Sequence, residues 1–132
     1  MAGNRIVAHF GDGRLLKGTT ADFFPTRDVF HVESTGPGVP PVAVRLADLK
    51  ALFFVKELAG NPGHRKTNAF PADRPVQGRK LRVVFRDGEE LVGTTQGYAP
   101  GRPGFFLVPA DPESNNVRCY VVTAATERVE LL

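Results

Sequence analysis

The 132-residue chain contains one cysteine and no tryptophan. A lone Cys119 cannot form an internal disulfide, so a disulfide scaffold is excluded and a reducing, cytoplasmic setting is expected. Histidine is nearly as scarce, with His9, His31 and His64 far apart. No H-x-x-x-H or C-x-x-C spacing occurs, so neither a metal nor another cofactor is expected. No apolar run approaches the roughly 20 residues that span a bilayer. The opening Met-Ala-Gly-Asn-Arg leads straight into a strand pattern and lacks a signal-peptide core, so no membrane partner is expected.

Concentrated charge is also missing. The net charge is +3, but the cations are spread along the chain and no block of five or six like charges appears. Nucleic-acid binding draws on a concentrated basic face, which this distribution does not supply. Catalytic groupings are absent too. Ser114 sits in a turn-forming run with no nucleophile elbow around it. Cys119 lies inside an apolar strand pattern with no adjacent base. An enzyme is not expected.

What is plentiful is turn chemistry, with 14 Gly and 11 Pro, which favours short strands over long helices. One stretch occurs twice. Arg5-Ile-Val-Ala-His-Phe-Gly-Asp-Gly-Arg-Leu-Leu-Lys-Gly-Thr-Thr20 returns as Lys80-Leu-Arg-Val-Val-Phe-Arg-Asp-Gly-Glu-Glu-Leu-Val-Gly-Thr-Thr95. Each reads as a β-hairpin with a two-residue Asp-Gly turn, Asp12-Gly13 and Asp87-Gly88. Alternation puts Ile6, Ala8 and Phe10, and their counterparts Leu81, Val83 and Phe85, on the core side. Gly18 and Gly93 fall at the same mid-strand place, where a small barrel needs a sharp bend to curl.

After each hairpin comes a Pro-x-Arg loop, Phe24-Pro25-Thr26-Arg27 and Ala99-Pro100-Gly101-Arg102. Two further strands follow, then one helical turn (47–50 and 123–126) and a closing strand. From the fourth strand onward the spacing becomes 76. The chain therefore divides into a first repeat (1–56), an irregular linker (57–78, with His64-Arg65-Lys66 and Phe70) and a second repeat (79–132). The fold class is all-β, as two tandem small five-stranded barrels related by pseudo-twofold symmetry. A unit of about 50 residues buries too little to be stable alone, so the halves should pack together. The doublets Phe23-Phe24 and Phe53-Phe54 exceed one small core's needs, so part of that surplus belongs to the joint or to another chain.

Five short strands with a helical turn before the last resemble the SH3-like and Sm-like small barrels. The hairpin Val83-Val-Phe-Arg-Asp-Gly-Glu-Glu-Leu-Val-Gly93 is similar to the first Sm motif. The second Sm motif, which builds a uridine pocket, has no match: Leu46-Ala-Asp-Leu and Val122-Thr-Ala-Ala stand there. Over nearly the whole chain, Asp-Gly-x-x-Leu-x-Gly-Thr-Thr followed by Pro-Gly-Arg-Pro-Gly-Phe-Phe resembles an uncharacterised bacterial domain family, found alone or attached to signalling modules. That resemblance implies a setting in bacterial signalling and no chemistry.

The functional expectation is a non-catalytic protein-interaction or adaptor module, its partner a signalling component or a second copy. An Sm-like RNA binder is the alternative. PilZ-like cyclic-dinucleotide binding through Arg82-Val-Val-Phe-Arg86 is the second, although the accompanying D-x-S-x-x-G is missing. Candidate contacts are Arg27 and Arg102, on equivalent loops where a guanidinium meets phosphate or carboxylate with two donors. Phe24, Phe54 and Tyr120 complete the set. The competing account has each Arg tying down its own loop.

Overall fold

The computed structural model describes residues 3–34, 38–58, 70, 78–99 and 101–132. Most of the expected linker, including His64, and Pro100 lie outside them. The fold is all-β, with ten strands: β1 (Asn4–Phe10), β2 (Leu15–Thr20), β3 (Val29–Val32), β4 (Val42–Arg45), β5 (Leu49–Val55), β6 (Arg79–Phe85), β7 (Glu90–Thr95), β8 (Gly104–Pro109), β9 (Asn116–Val122) and β10 (Thr126–Leu131). A single 3₁₀ turn precedes β5 (Leu46–Asp48) and another precedes β10 (Thr123–Ala125).

Eight strands form one antiparallel sheet in the order β10-β6-β7-β8-β9-β5-β1-β2, and β3 pairs with β4. The Thr19–Glu33 bridge ties β3 to β2. The ladders of the first half recur in the second. Ile6 pairs with Gly18 and Phe54, and Leu81 pairs with Gly93 and Leu131. The Thr19–Glu33 bridge has its counterpart in Thr94–Val108. Even the bulge in β5 at Lys50 reappears in β10 at Glu127. The offset is 75 through β8, since Phe30 corresponds to Phe105. It becomes 77 afterwards, since Val44 corresponds to Val121 and Phe54 to Leu131. Two residues were therefore inserted in the β8–β9 connection, not the one that a spacing of 76 implies.

Two expectations are corrected. The sheet is open: β10 pairs only with β6 and β4 only with β3, so no described ladder closes either half into a barrel. The halves also do not meet across a twofold. The seam joins β5, the fifth strand of the first half, to β9, the fourth of the second. A twofold axis would match the β5–β9 pairing with a β10–β4 pairing; among the described residues β10 pairs with β6 and β4 with β3 instead, so the halves meet head to tail.

The seam dictates where the core sits. All seven residues of β5 are buried, as expected of a strand covered on both faces. Ala51, Phe53 and Val55 enter one cluster with Leu81, Val83, Phe85, Phe105 and Cys119. Leu52 and Phe54 enter the other with Ile6, Phe30, Val32, Tyr120 and Val122. The Phe53-Phe54 doublet is thus one ring for each core, and Phe23 joins the second. Phe24 stays half exposed.

The hairpin turns differ in kind from the two-residue reading. Gly13 N–H donates to Phe10 C=O (3.0 Å) and Phe10 N–H to Arg14 C=O (2.9 Å), closing a three-residue loop. Only Gly13 (φ 97°) and Gly88 (φ 93°) take the left-handed conformation there, while Asp12 and Asp87 do not. Each Asp instead accepts the N–H two residues on, at 3.0 Å. Gly18 and Gly93 answer to close approach: a Cβ would sit 2.3 Å from Glu33 O and 2.1 Å from Val108 O.

Candidate functional site

The two Pro-containing loops border one cleft of about 380 Å³, lined by Pro25 from the first half and Gln96, Arg102, Gly104, Phe106 and Tyr120 from the second. β8 and β9 supply the floor, because Phe106 pairs with Tyr120 across the ladder and their rings meet edge-on at 5.2 Å. Gly104 makes room for this. A Cβ there would lie 2.4 Å from Tyr120 Cζ and Oη, so the Tyr120 ring lies over the glycine. Burial alone pushes the Tyr120 phenol above its ordinary value, so it is neutral near pH 7 and its bulk is apolar.

Phe23 runs beneath both halves, 5.4 Å from the Tyr120 ring and 5.2 Å from Phe30. Beside it the Arg118 guanidinium stacks on Phe54 and Phe106, 4.5 Å from each ring centre. This cation–π sandwich crosses the seam and holds Phe106 in place.

The five residues proposed from sequence separate. Arg102 and Tyr120 line the cleft. Phe54 is buried next to it in the seam. Arg27 lies over the Phe24 ring (5.5 Å) on the outer side of its loop, and this exposed pair is not in the cleft. The loop-tying account fits the backbone rather than the side chains: Arg27 N–H donates to Phe24 C=O (2.9 Å) and Arg102 N–H to Ala99 C=O (3.3 Å). Among the described residues no carboxylate pairs with the Arg102 guanidinium, which leaves a cation free at an apolar rim. By contrast Arg82 is paired with Glu90 and Glu130, and Arg86 donates to Ala124 C=O (2.9 Å).

Sequence reasoning passed over Phe106 and Gly104. A signal existed in the comparison of the halves. With the ladder offsets, Gly104, Phe106 and Tyr120 replace Val29, His31 and Ala43. The cleft is where the second half departs from the first.

Asn115 fastens the seam. Its amide donates to Glu57 C=O (2.9 Å) and accepts from Glu57 N–H (3.0 Å). Lys50 is a second fastening. Buried at the β5 bulge, it reaches Asp87 (2.7 Å) and Glu89 on the hairpin of the other half, with its Nζ 4.7 Å from the Phe85 ring. Burial pulls the Lys50 pKa down, but the two carboxylates outweigh it and hold it above the ordinary value. Hydrogen bonding to Lys50 and to the Glu89 N–H lowers that of Asp87. The amine stays charged, so it is a cross-link and no nucleophile. Cys119 is buried in the core, and no three His, Cys, Asp or Glu among the described residues could share a metal. No helix among them is long and apolar enough to cross a membrane.

Residues 2–132 match the model of a family described as "Family of unknown function (DUF6982)", and the chain belongs to that family. No curated protein and no solved structure matches it.

Proposed function

We propose that the chain is a non-catalytic interaction module, built from two small barrel-like β units, that binds an extended segment of a partner protein in the Pro25–Arg102 cleft. The observation that supports this most directly is the convergence of loops from both halves over Phe106 and Tyr120, with the Arg102 guanidinium on the rim, where no described carboxylate pairs with it. An apolar or proline side chain fits the aromatic floor, and a nearby carboxylate fits Arg102 as a charge-assisted bidentate pair. The size lies at the lower end for ligand pockets, which suits one or two side chains of a peptide and not a large cofactor. The bacterial signalling setting rests on the resemblance of the motifs given above.

The test is an array of short peptides that place an apolar residue within three positions of an acid, followed by NMR titration of the best binder. Shifts should concentrate at Gln96, Arg102, Phe106 and Tyr120. Arg102→Ala should weaken binding about tenfold, the scale of a hydrogen bond to a charged group. Failure of every peptide, together with RNA binding that falls steeply with salt, would overturn the proposal in favour of the nucleic-acid alternative.

A further inference from the structure

The head-to-tail seam leaves both of its halves unused at the ends of the array. β5 meets β9 inside the chain, but the equivalent of β5 is β10, and the equivalent of β9 is β4. Among the described residues each of those strands pairs along one edge and leaves the other free. We propose that these two edges form a head-to-tail interface between copies of this chain, which reuses between molecules the register of the β5–β9 seam.

Three observations carry the proposal. The first is the register. Within the chain, Ala51 pairs with Val121 and Phe53 with Cys119. At offset 77 these become Arg128 with Val44 and Glu130 with Val42, residues that stand on the two free edges.

The second is exposure. Cys119 is 1% exposed and Phe54 6%, while their counterparts Val42 and Leu131 are 41% and 59% exposed. Val39 and Leu132, beside them, are exposed as well. Apolar side chains thus stand in water where the inner seam buries its own.

The third is charge. Inside the chain Lys50, at the β5 bulge, is bound by Asp87 and Glu89 on the next hairpin. The equivalent of Lys50 is Glu127, at the β10 bulge. The equivalents of Asp87 and Glu89 are Asp12 and Arg14 on the first hairpin. Between two chains Glu127 would therefore approach Asp12 and Arg14, which already bind each other at 2.7 Å, leaving one guanidinium between two carboxylates as the seam leaves one amine between two.

The outer contact is more polar than the inner one. Val7, Ala51 and Phe53 of the seam correspond to Arg82, Arg128 and Glu130, which pair among themselves. Charges along an edge strand discourage indiscriminate pairing, so the association is reversible and selective for the matching edge. Because the contact is heterologous, each added copy presents a fresh edge, and growth continues until a ring closes.

The experiment is sedimentation velocity on the full chain from about 1 µM to about 500 µM at low ionic strength, with circular dichroism to confirm folding. Species beyond the dimer should appear as concentration rises and recede with salt, since the pair is exposed. Glu127→Lys and Arg14→Glu should each weaken association roughly two- to five-fold, the scale of an exposed ion pair. Together they place a lysine opposite Asp12 and a glutamate, copying the Lys50 arrangement, and should restore association to wild type or better. Val42→Asp should weaken it too, by setting a carboxylate opposite Glu130. A chain that stays monomeric throughout, that stops at a dimer, or whose double variant is no better than either single one would overturn the proposal.

Discussion

Phe54 and Leu131 occupy the same place in the two halves, opposite Ile6 and Leu81, and differ only in what lies beyond them. Phe54 has the seam: Phe23 at 5.9 Å, Phe106 at 6.3 Å and the Arg118 guanidinium at 4.5 Å from its ring centre. Leu131 has solvent. Truncating a buried Phe to Ala costs about 3–5 kcal/mol. The upper part of that range applies here, because aromatic pairs contribute about 0.5–1.5 kcal/mol beyond area. Leu131→Ala should cost about 0.5 kcal/mol or less. In a chain of this size the first change lowers Tm by about 10–20 °C and the second by about 2 °C. Urea unfolding followed by far-UV circular dichroism, at low micromolar concentration so that copies stay apart, measures both. Phe54→Leu, costing about 1 kcal/mol, supplies a milder point if the alanine variant unfolds. A difference between the two alanine variants below about 1 kcal/mol would show that the seam is not where the stability lies, and would refute the two-core account.

Two more outcomes follow from the packing. Gly104→Ala should destabilise by about 1–3 kcal/mol through overpacking against Tyr120, and the loss should shrink in a Gly104→Ala/Tyr120→Ala background, a coupling that a double-mutant cycle reads directly. The Asp87 pKa is lowered from 3.8, so the carboxylate's contribution is present above its unfolded pKa and is lost as pH falls through the depressed folded one. Urea midpoints between pH 7 and pH 2 should therefore fall less steeply in Asp87→Asn than in the wild type, and an unchanged slope would remove Asp87 from the seam's fastening.

The strands and hairpins were legible because alternation and Asp-Gly turns are local signals, and the duplication let each half check the other. The edge-to-edge joint was not. Whether β9 meets β5 or a twofold mate depends on which edges come together, and period-two patterning reports faces, not edges. The unbroken apolar run Ala51–Val55, in a strand buried at every position, was the hint that this strand had neighbours on both faces. At the site, Arg102 and Tyr120 could be named from their loop and strand. Phe106 could not, because a spacing of 76 set Tyr120 against Val44 and hid the replacement of His31 and Ala43 by a facing aromatic pair.

A strand that lends alternate side chains to two interiors has a consequence for how the molecule comes apart. Cutting the chain between its repeats would strip Phe53 and Val55 of their lining on one fragment and open the pocket around Cys119 on the other. Neither piece could keep a dry centre. The duplicated protein should therefore melt and re-form in one step, because neither repeat carries a complete interior of its own.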